Sequence, residues 1–363
     1  MEPQRDYEKS AAVYQVLGRY KAERDYEFSR KTDFTTEFME FSHPNIVLAD
    51  NYSLYTFTDD EAVFVDCGDC DIFDKTKAFV YDTQYQNAIK MVTMPLESFH
   101  IVAKEVTIPD IPIVHLANHR RCGSTLFTKV FEGIPNALSL SETNGFTQLA
   151  EMSLHNGDQD YEKIKKMLYS AILMTIKHAS ARKSSCMLMK HQSSILFITE
   201  MMVDVFPSIK QVYMYRQGLG FVQSYEKLMV ANSWDPLSTE LACYWGGVGQ
   251  HRLLKSYTDH IKPEDVAQFS SFTKWAIIWV ASTAAFKKLN EEHGLELKSF
   301  KFEHMIKNPK VVLSKVFAHV GIPLDQLPDI DTISSKDSQT GTPFPCQHLL
   351  KKMVFQFGNL LKK

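Results

Sequence analysis

Residues 111–131, IPIVHLANHRRCGSTLFTKVF, decide how this chain is read. A short apolar run, Ile111 to Ala117, ends in a polar, basic turn, His119-Arg120-Arg121-Cys122-Gly123-Ser124-Thr125. The turn runs straight into Leu126-Phe127 and an apolar-periodic stretch. That order predicts a strand, a tight turn and a helix opening near residue 124. The first N–H groups of such a helix have no intrahelical acceptor, and the positive end of the helix dipole lies beside them. Gly123 carries no Cβ to hold an anion off the backbone. Two arginines and two hydroxyls add charge and hydrogen bonds. The ligand expected there carries phosphate or a similar oxyanion.

Outward from this stretch, the pattern after residue 110 is α/β. Cys186–Lys190, Gln211–Tyr215 and Leu297–Phe302 are expected as further strands, with another ending just before Glu142 in Leu140-Ser141-Glu142. Helices are expected over Ile195–Val205, Leu219–Met229, 235–257, 273–292 and Pro309–Val320, the last with proline in its first turn. Strands alternating with helices imply a central parallel sheet with helices on both faces. Ligands of such sheets sit at the carboxyl ends of the strands. Arg121, Lys190 and Arg216 each fall at or just past a strand end.

The first hundred residues differ in texture. Residues 1–35 read as helical and charged. Ile46–Ala49, Ser53–Phe57, Ala62–Asp66, Ala78–Tyr81 and Phe99–Val106 read as short β-rich runs between turns. Residues 1–107 are therefore expected to form a small α+β appendage. A proline-bearing linker, Thr107 to Pro112, would join it to the α/β domain of 108–363. Covering an acceptor site and forming a homodimer contact are two roles open to it.

Bulk properties narrow the classes. The 363 residues are 44% hydrophobic and 23% charged, as in an ordinary globular protein. A net charge of −3 argues against general nucleic-acid binding, so any anion site must be a local concentration of charge. No apolar run approaches a membrane span, and MEPQRDYEKS has no signal-peptide core. Mostly scattered cysteines suit a reducing compartment, and a cytoplasmic protein is expected. Cys67-Gly68-Asp69-Cys70 could be half a zinc site or a redox pair, but no second pair stands at ligand spacing. Two thiols flanking a turn is the favoured reading.

The loop is not a Walker A sequence, because no Gly-Lys-Ser/Thr occurs, and no G-x-G-x-x-G fingerprint is present. It resembles the phosphosulfate-binding loop of PAPS-dependent sulfotransferases, where an Arg or Lys precedes a Ser-Gly-Ser/Thr-Thr turn. Arg121-Cys122-Gly123-Ser124-Thr125-Leu126 fits, with Cys122 where that family commonly has Ser. Arg216, with Ser224 eight residues later, resembles the family's 3′-phosphate clamp. Phe302-Glu303-His304-Met305-Ile306-Lys307-Asn308-Pro309 resembles its YEDL…P stretch, and Lys336–Thr342 a C-terminal DSQ-x-G-T loop.

The resemblance, over about residues 111–345, implies sulfuryl transfer from PAPS to a hydroxyl or amine of a small-molecule acceptor, without a metal. Arg121, Cys122, Gly123, Ser124, Thr125 and Leu126 would hold the 5′-phosphosulfate, with Arg121 also stabilising the developing charge. Arg216 and Ser224 would hold the 3′-phosphate, and Lys190 would assist on the sulfuryl group. Arg120 reads as peripheral. Two residues compete for general base, Glu142 and His191. The cytosolic members carry Lys-x-His at this strand end. Here Lys190 and His191 are adjacent, so their side chains should point to opposite faces. Trp275 and Trp279, one helical turn apart, are expected in the core rather than on adenine. A Mg-ATP-dependent kinase and a non-catalytic nucleotide- or partner-binding protein are the competing readings.

Overall fold

The computed structural model describes residues 6–21, 29–156, 160–232, 265, 268–291, 294–295, 297–326 and 328. Two five-stranded sheets form the frame. The first is antiparallel and holds β1 (Ala11–Arg19), β2 (Phe34–Ser42), β3 (Tyr52–Phe57), β4 (Glu61–Asp66) and β5 (Lys90–Pro95), in the order β2-β1-β5-β4-β3. Helices α1 (Val80–Asn87) and α2 (Leu96–Ala103) accompany it. This is an α+β unit, but several of its elements differ from expectation. Residues 11–19 are strand, not helix, because β1 is held between β2 and β5. Pairing of that kind outweighs local composition. Ile46–Ala49 lies in a 3-10 turn (Pro44–Leu48), and Ala78–Tyr81 leads into α1. Phe99–Val106 is mostly α2, whose buried Phe99, Val102 and Ala103 share one helical face.

The second sheet is parallel throughout, with β6 (Ile113–Asn118), β7 (Ala137–Ser141), β8 (Cys186–Lys190), β9 (Lys210–Tyr215) and β10 (Lys298–Lys301) in the order β10-β9-β6-β8-β7. Between the strands run α3 (Ser124–Glu132), α4 (Asn144–Asn156), α5 (Tyr161–Ala181), α6 (Thr199–Val205), α7 (Gly218–Asn232) and α8 (Ser271–Glu291). After β10 come α9 (Phe302–Lys307) and α10 (Pro309–Val320). The expected α/β architecture is present. The helix expected over 235–257 and the loop Lys336–Thr342 lie outside the described residues.

Period-2 alternation splits the parallel strands between two cores. Val114, Leu116, Leu188, Val212 and Met214 pack with Phe127 and Phe131 of α3 and with Leu313 and Phe317 of α10. Ile113, Met187, Met189 and Tyr213 face the other way, toward α5, α6 and α8. That second core continues through Val63, Phe64, Met91 and Phe99 of the antiparallel unit. Polar ties reinforce it. Lys177 Nζ donates to the carbonyls of Ala49 and Tyr52 at 2.6 and 2.7 Å, and burial pushes its pKa down to about 7. Gln148 bonds both the N–H and the carbonyl of Phe57.

The strand order fixes where a ligand can sit. From β6 the chain crosses toward β7, whereas from β9 it crosses toward β10. Neighbouring strands whose connections leave in opposite directions open a crevice beyond their carboxyl ends. The turn 119–123 and the 216–224 segment meet there. No helix among the described residues is long and apolar enough to cross a membrane.

Candidate functional site

The loop extends β6 by one more bond, His119 N–H to the Met214 carbonyl at 3.0 Å. It then turns sharply. Arg121 has φ 59° and Gly123 φ 85°, both left-handed. For a residue with a side chain such a backbone costs about 1–3 kcal/mol and persists only where the surroundings enforce it. Gly123 is also needed for space, since a Cβ there would lie 2.5 Å from the Phe302 ring. Gly123 caps α3 and has no side chain to occupy the helix N-terminus. Ser124 and Thr125 are buried in the first turn, beside Leu126, which packs on the α3-side core. Cys122 is fully buried in that core, and burial pushes its thiol up to about 12. It brings backbone to the turn, and its neutral side chain faces the core.

Across the crevice, Arg121 Nε donates to Ser224 Oγ at 3.2 Å. Arg216 Nη1 donates to the Arg121 carbonyl at 3.2 Å, and its guanidinium lies 4.9 Å from the Phe302 ring centre. The Arg216 carbonyl accepts from Trp279 Nε1 at 2.8 Å. Arg216 Nε is buried without a hydrogen-bond partner among the described residues and stands 3.8 Å from the Glu303 carboxylate. Glu303 also accepts from the Gln217 N–H. Gly220 lies against Arg216 Nε, where a Cβ would come within 3.0 Å. The structure thus brings Arg121, Arg216, Ser224 and the opening of α3 together. Arg120 turns aside to Gln192. Trp275 is buried and stacks on Tyr225, 4.2 Å between ring centres, as core packing predicts.

At the end of β8, Lys190 and His191 diverge to opposite faces. Lys190 shares its face with Leu188, and its ammonium pairs with the Glu142 carboxylate. Its side chain is only 2% exposed and lies on the Phe79 ring, 5.3 Å from the ring centre. Glu142 also has a left-handed backbone, φ 59°, and its N–H donates to the Lys190 carbonyl at 2.7 Å. His191 is fully buried on the other side, 5.5 Å from His115 and 4.4 Å from Phe146 between ring centres. Its Nδ1 meets Thr143 Oγ1 at 3.3 Å, and its carbonyl accepts from Asn118. Burial, followed by the nearby His115 and Lys190, holds its pKa well below the ordinary histidine value.

No protein-family model matches the chain, and no curated protein matches its sequence. Solved structures do match at low similarity. A sulfotransferase from Alicyclobacillus acidocaldarius aligns with 69% of this chain and 93% of its own, at 14% identity and a TM-score of 0.37. A sulfotransferase from Mycobacterium avium aligns with 62% of this chain and 68% of its own, at 11% identity and a TM-score of 0.34.

Two site residues were not singled out in the sequence. Glu303 lay inside a quoted motif, but its pairing with Arg216 spans 87 positions and only the fold shows it. Phe79 reaches Lys190 from the antiparallel unit, and no local pattern marks it. Cys67 and Cys70 flank a turn closed by Cys70 N–H to the Cys67 carbonyl, and both are free thiols. Among the described residues no group of three or more His, Cys, Asp or Glu is placed to hold a metal.

Proposed function

We propose that this protein is a PAPS-dependent sulfotransferase acting on a hydroxyl or amine of a small-molecule acceptor. The observation that carries the reading is the Arg121–Ser224 hydrogen bond across the crevice, with Arg216 beside it. Two segments that resemble the 5′- and 3′-phosphate elements of that family thereby meet in one place. The donor set fits a doubly phosphorylated nucleotide. It consists of two guanidiniums, three hydroxyls and a helix N-terminus, and Arg216 Nε has no hydrogen-bond partner among the described residues. Guanidiniums bind phosphate through paired, charge-assisted bonds.

PAPS, when bound, supplies the sulfuryl group and accepts the electron pair of the broken S–O bond on its 5′-phosphate. The chain's residues do the rest. Arg121 and the α3 N-terminus neutralise charge that grows on the bridging oxygen. Arg216 and Ser224 fix the 3′-phosphate and so the register of the nucleotide. Glu142, with one carboxylate oxygen engaged by Lys190, takes the acceptor's proton on the other. Lys190 balances the negative charge that Glu142 and the sulfuryl oxygens bring together. His191, sealed behind the sheet, serves packing.

The test is sulfuryl transfer from labelled PAPS to a panel of phenols, alcohols and amines, without added metal. The account expects transfer to at least one class and its loss in Glu142→Gln. A requirement for Mg-ATP, or a Glu142→Gln protein as active as the wild type, would overturn it.

A further inference from the structure

Phe79 sits at the point where the antiparallel unit meets the strand ends. It is the N-cap of α1, with its carbonyl accepting from the Thr83 hydroxyl, so its backbone is fixed. Its ring stacks on Tyr81 at 5.6 Å and 13°. Both belong to an aromatic cluster with Phe221, Val222 and Tyr225 of α7 and Trp275 of α8. Val222 and Tyr225 lie within two residues of Ser224, which receives the Arg121 bond. The same Phe79 ring lies under the Lys190 ammonium. One side chain from outside the α/β domain therefore touches the charged pair and shares a hydrophobic cluster with the helix that carries Ser224.

The negative face of an aromatic ring attracts an ammonium most strongly where water is excluded. Lys190 has such a site, and its other partner is Glu142. With the ring in place, the ammonium is shared between carboxylate and ring. With a saturated side chain there, only the carboxylate would hold it. We propose that Phe79 is a positioning residue, which sets the Lys190 ammonium between Glu142 and the transferring group. On this view the 1–107 unit completes the transfer site. The inference rests on the sulfotransferase reading.

The test uses the full chain labelled with [ε-13C]lysine, with the Lys190 signal assigned through Lys190→Arg. In the wild type, ring current from Phe79 displaces that signal upfield. In Phe79→Leu the displacement should vanish, and kcat should fall about tenfold, as expected for loss of a desolvated cation–π contact. KM for PAPS and affinity for adenosine 3′,5′-bisphosphate should stay unchanged, and Phe79→Tyr should restore both signal and kcat. A Lys190 signal that does not move in Phe79→Leu, or a kcat within twofold of wild type, would overturn the proposal alone. A wild-type protein that neither binds the bisphosphate nor transfers sulfuryl would overturn the reading beneath it as well.

Discussion

The two faces of the parallel sheet carry opposite chemistry where its strands end. On the α3 side stand Arg121, Arg216 and the Lys190–Glu142 pair, charged and close to the crevice. On the α5 side stand His115, His119 and His191, all buried and all held neutral by that burial. His119 packs among Tyr213, Phe221 and Trp279, and neither ring nitrogen has a hydrogen-bond partner among the described residues. On the proposed reading, the difference divides function from stability within one set of loops. Residues one position apart in sequence, Lys190 and His191, have different surroundings because an extended chain sends them to different sides.

The largest effect should come from the charged face. Glu142→Gln keeps the shape and removes the proposed base, so kcat for sulfuryl transfer should fall by about 10²–10⁴. Affinity for adenosine 3′,5′-bisphosphate, measured calorimetrically, should not change. A loss of binding equal to the loss of rate would blur the separation of the two faces.

The histidine face should show itself in acid. Burial holds His115 down to about 4 and His119 to about 3, with His191 also well below its ordinary value. In the unfolded chain each returns to about 6.5. The unfolded state then binds more protons as soon as pH drops below 6.5, so stability is complete above that value and is lost as pH falls toward 4. The loss should be on the order of several kcal/mol. Urea midpoints at pH 7, 6 and 5 check it, and a midpoint that stays flat across them would contradict the buried, neutral assignment.

A smaller effect sharpens the same contrast. His191→Gln should lower the thermal midpoint by a few degrees, for a packing cost of about 1–3 kcal/mol. Its kcat should match the wild type. A pH–rate profile altered in this variant would bring His191 back as a base.

The parallel sheet was legible because its signals are local. Cys186–Lys190 and Pro309–Val320 carry their own boundaries, a continuous apolar run in one case and an N1 proline in the other. The Arg216–Ser224 spacing is likewise contained in one strand end and one helix. The antiparallel unit was less legible. β1 is half-buried, without clean alternation, and its pairing partner β5 lies some 80 residues away. In α2 the aromatic and β-branched residues Phe99, Ile101 and Val102 suggest a strand, while burial at 98, 99, 102 and 103 obeys helical spacing. At the site, sequence left Glu142 and His191 as rivals. Strand geometry sets them apart, because Glu142 meets Lys190 on one face while His191 is sealed on the other. Phe79 was invisible for the same reason as Glu303, since its partner is remote in sequence.

On the proposed reading, the crevice beyond β6 and β9 binds a 3′,5′-bisphosphorylated nucleotide through Arg121, Arg216 and Ser224. Isothermal titration with adenosine 3′,5′-bisphosphate, without metal, tests it most directly, with Mg-ATP and Arg216→Ala in parallel. The account predicts saturable binding of the bisphosphate, weakened roughly 10- to 100-fold in Arg216→Ala, as loss of charge-assisted bonds requires. Tighter binding of Mg-ATP, or a bisphosphate affinity indifferent to Arg216, would contradict it.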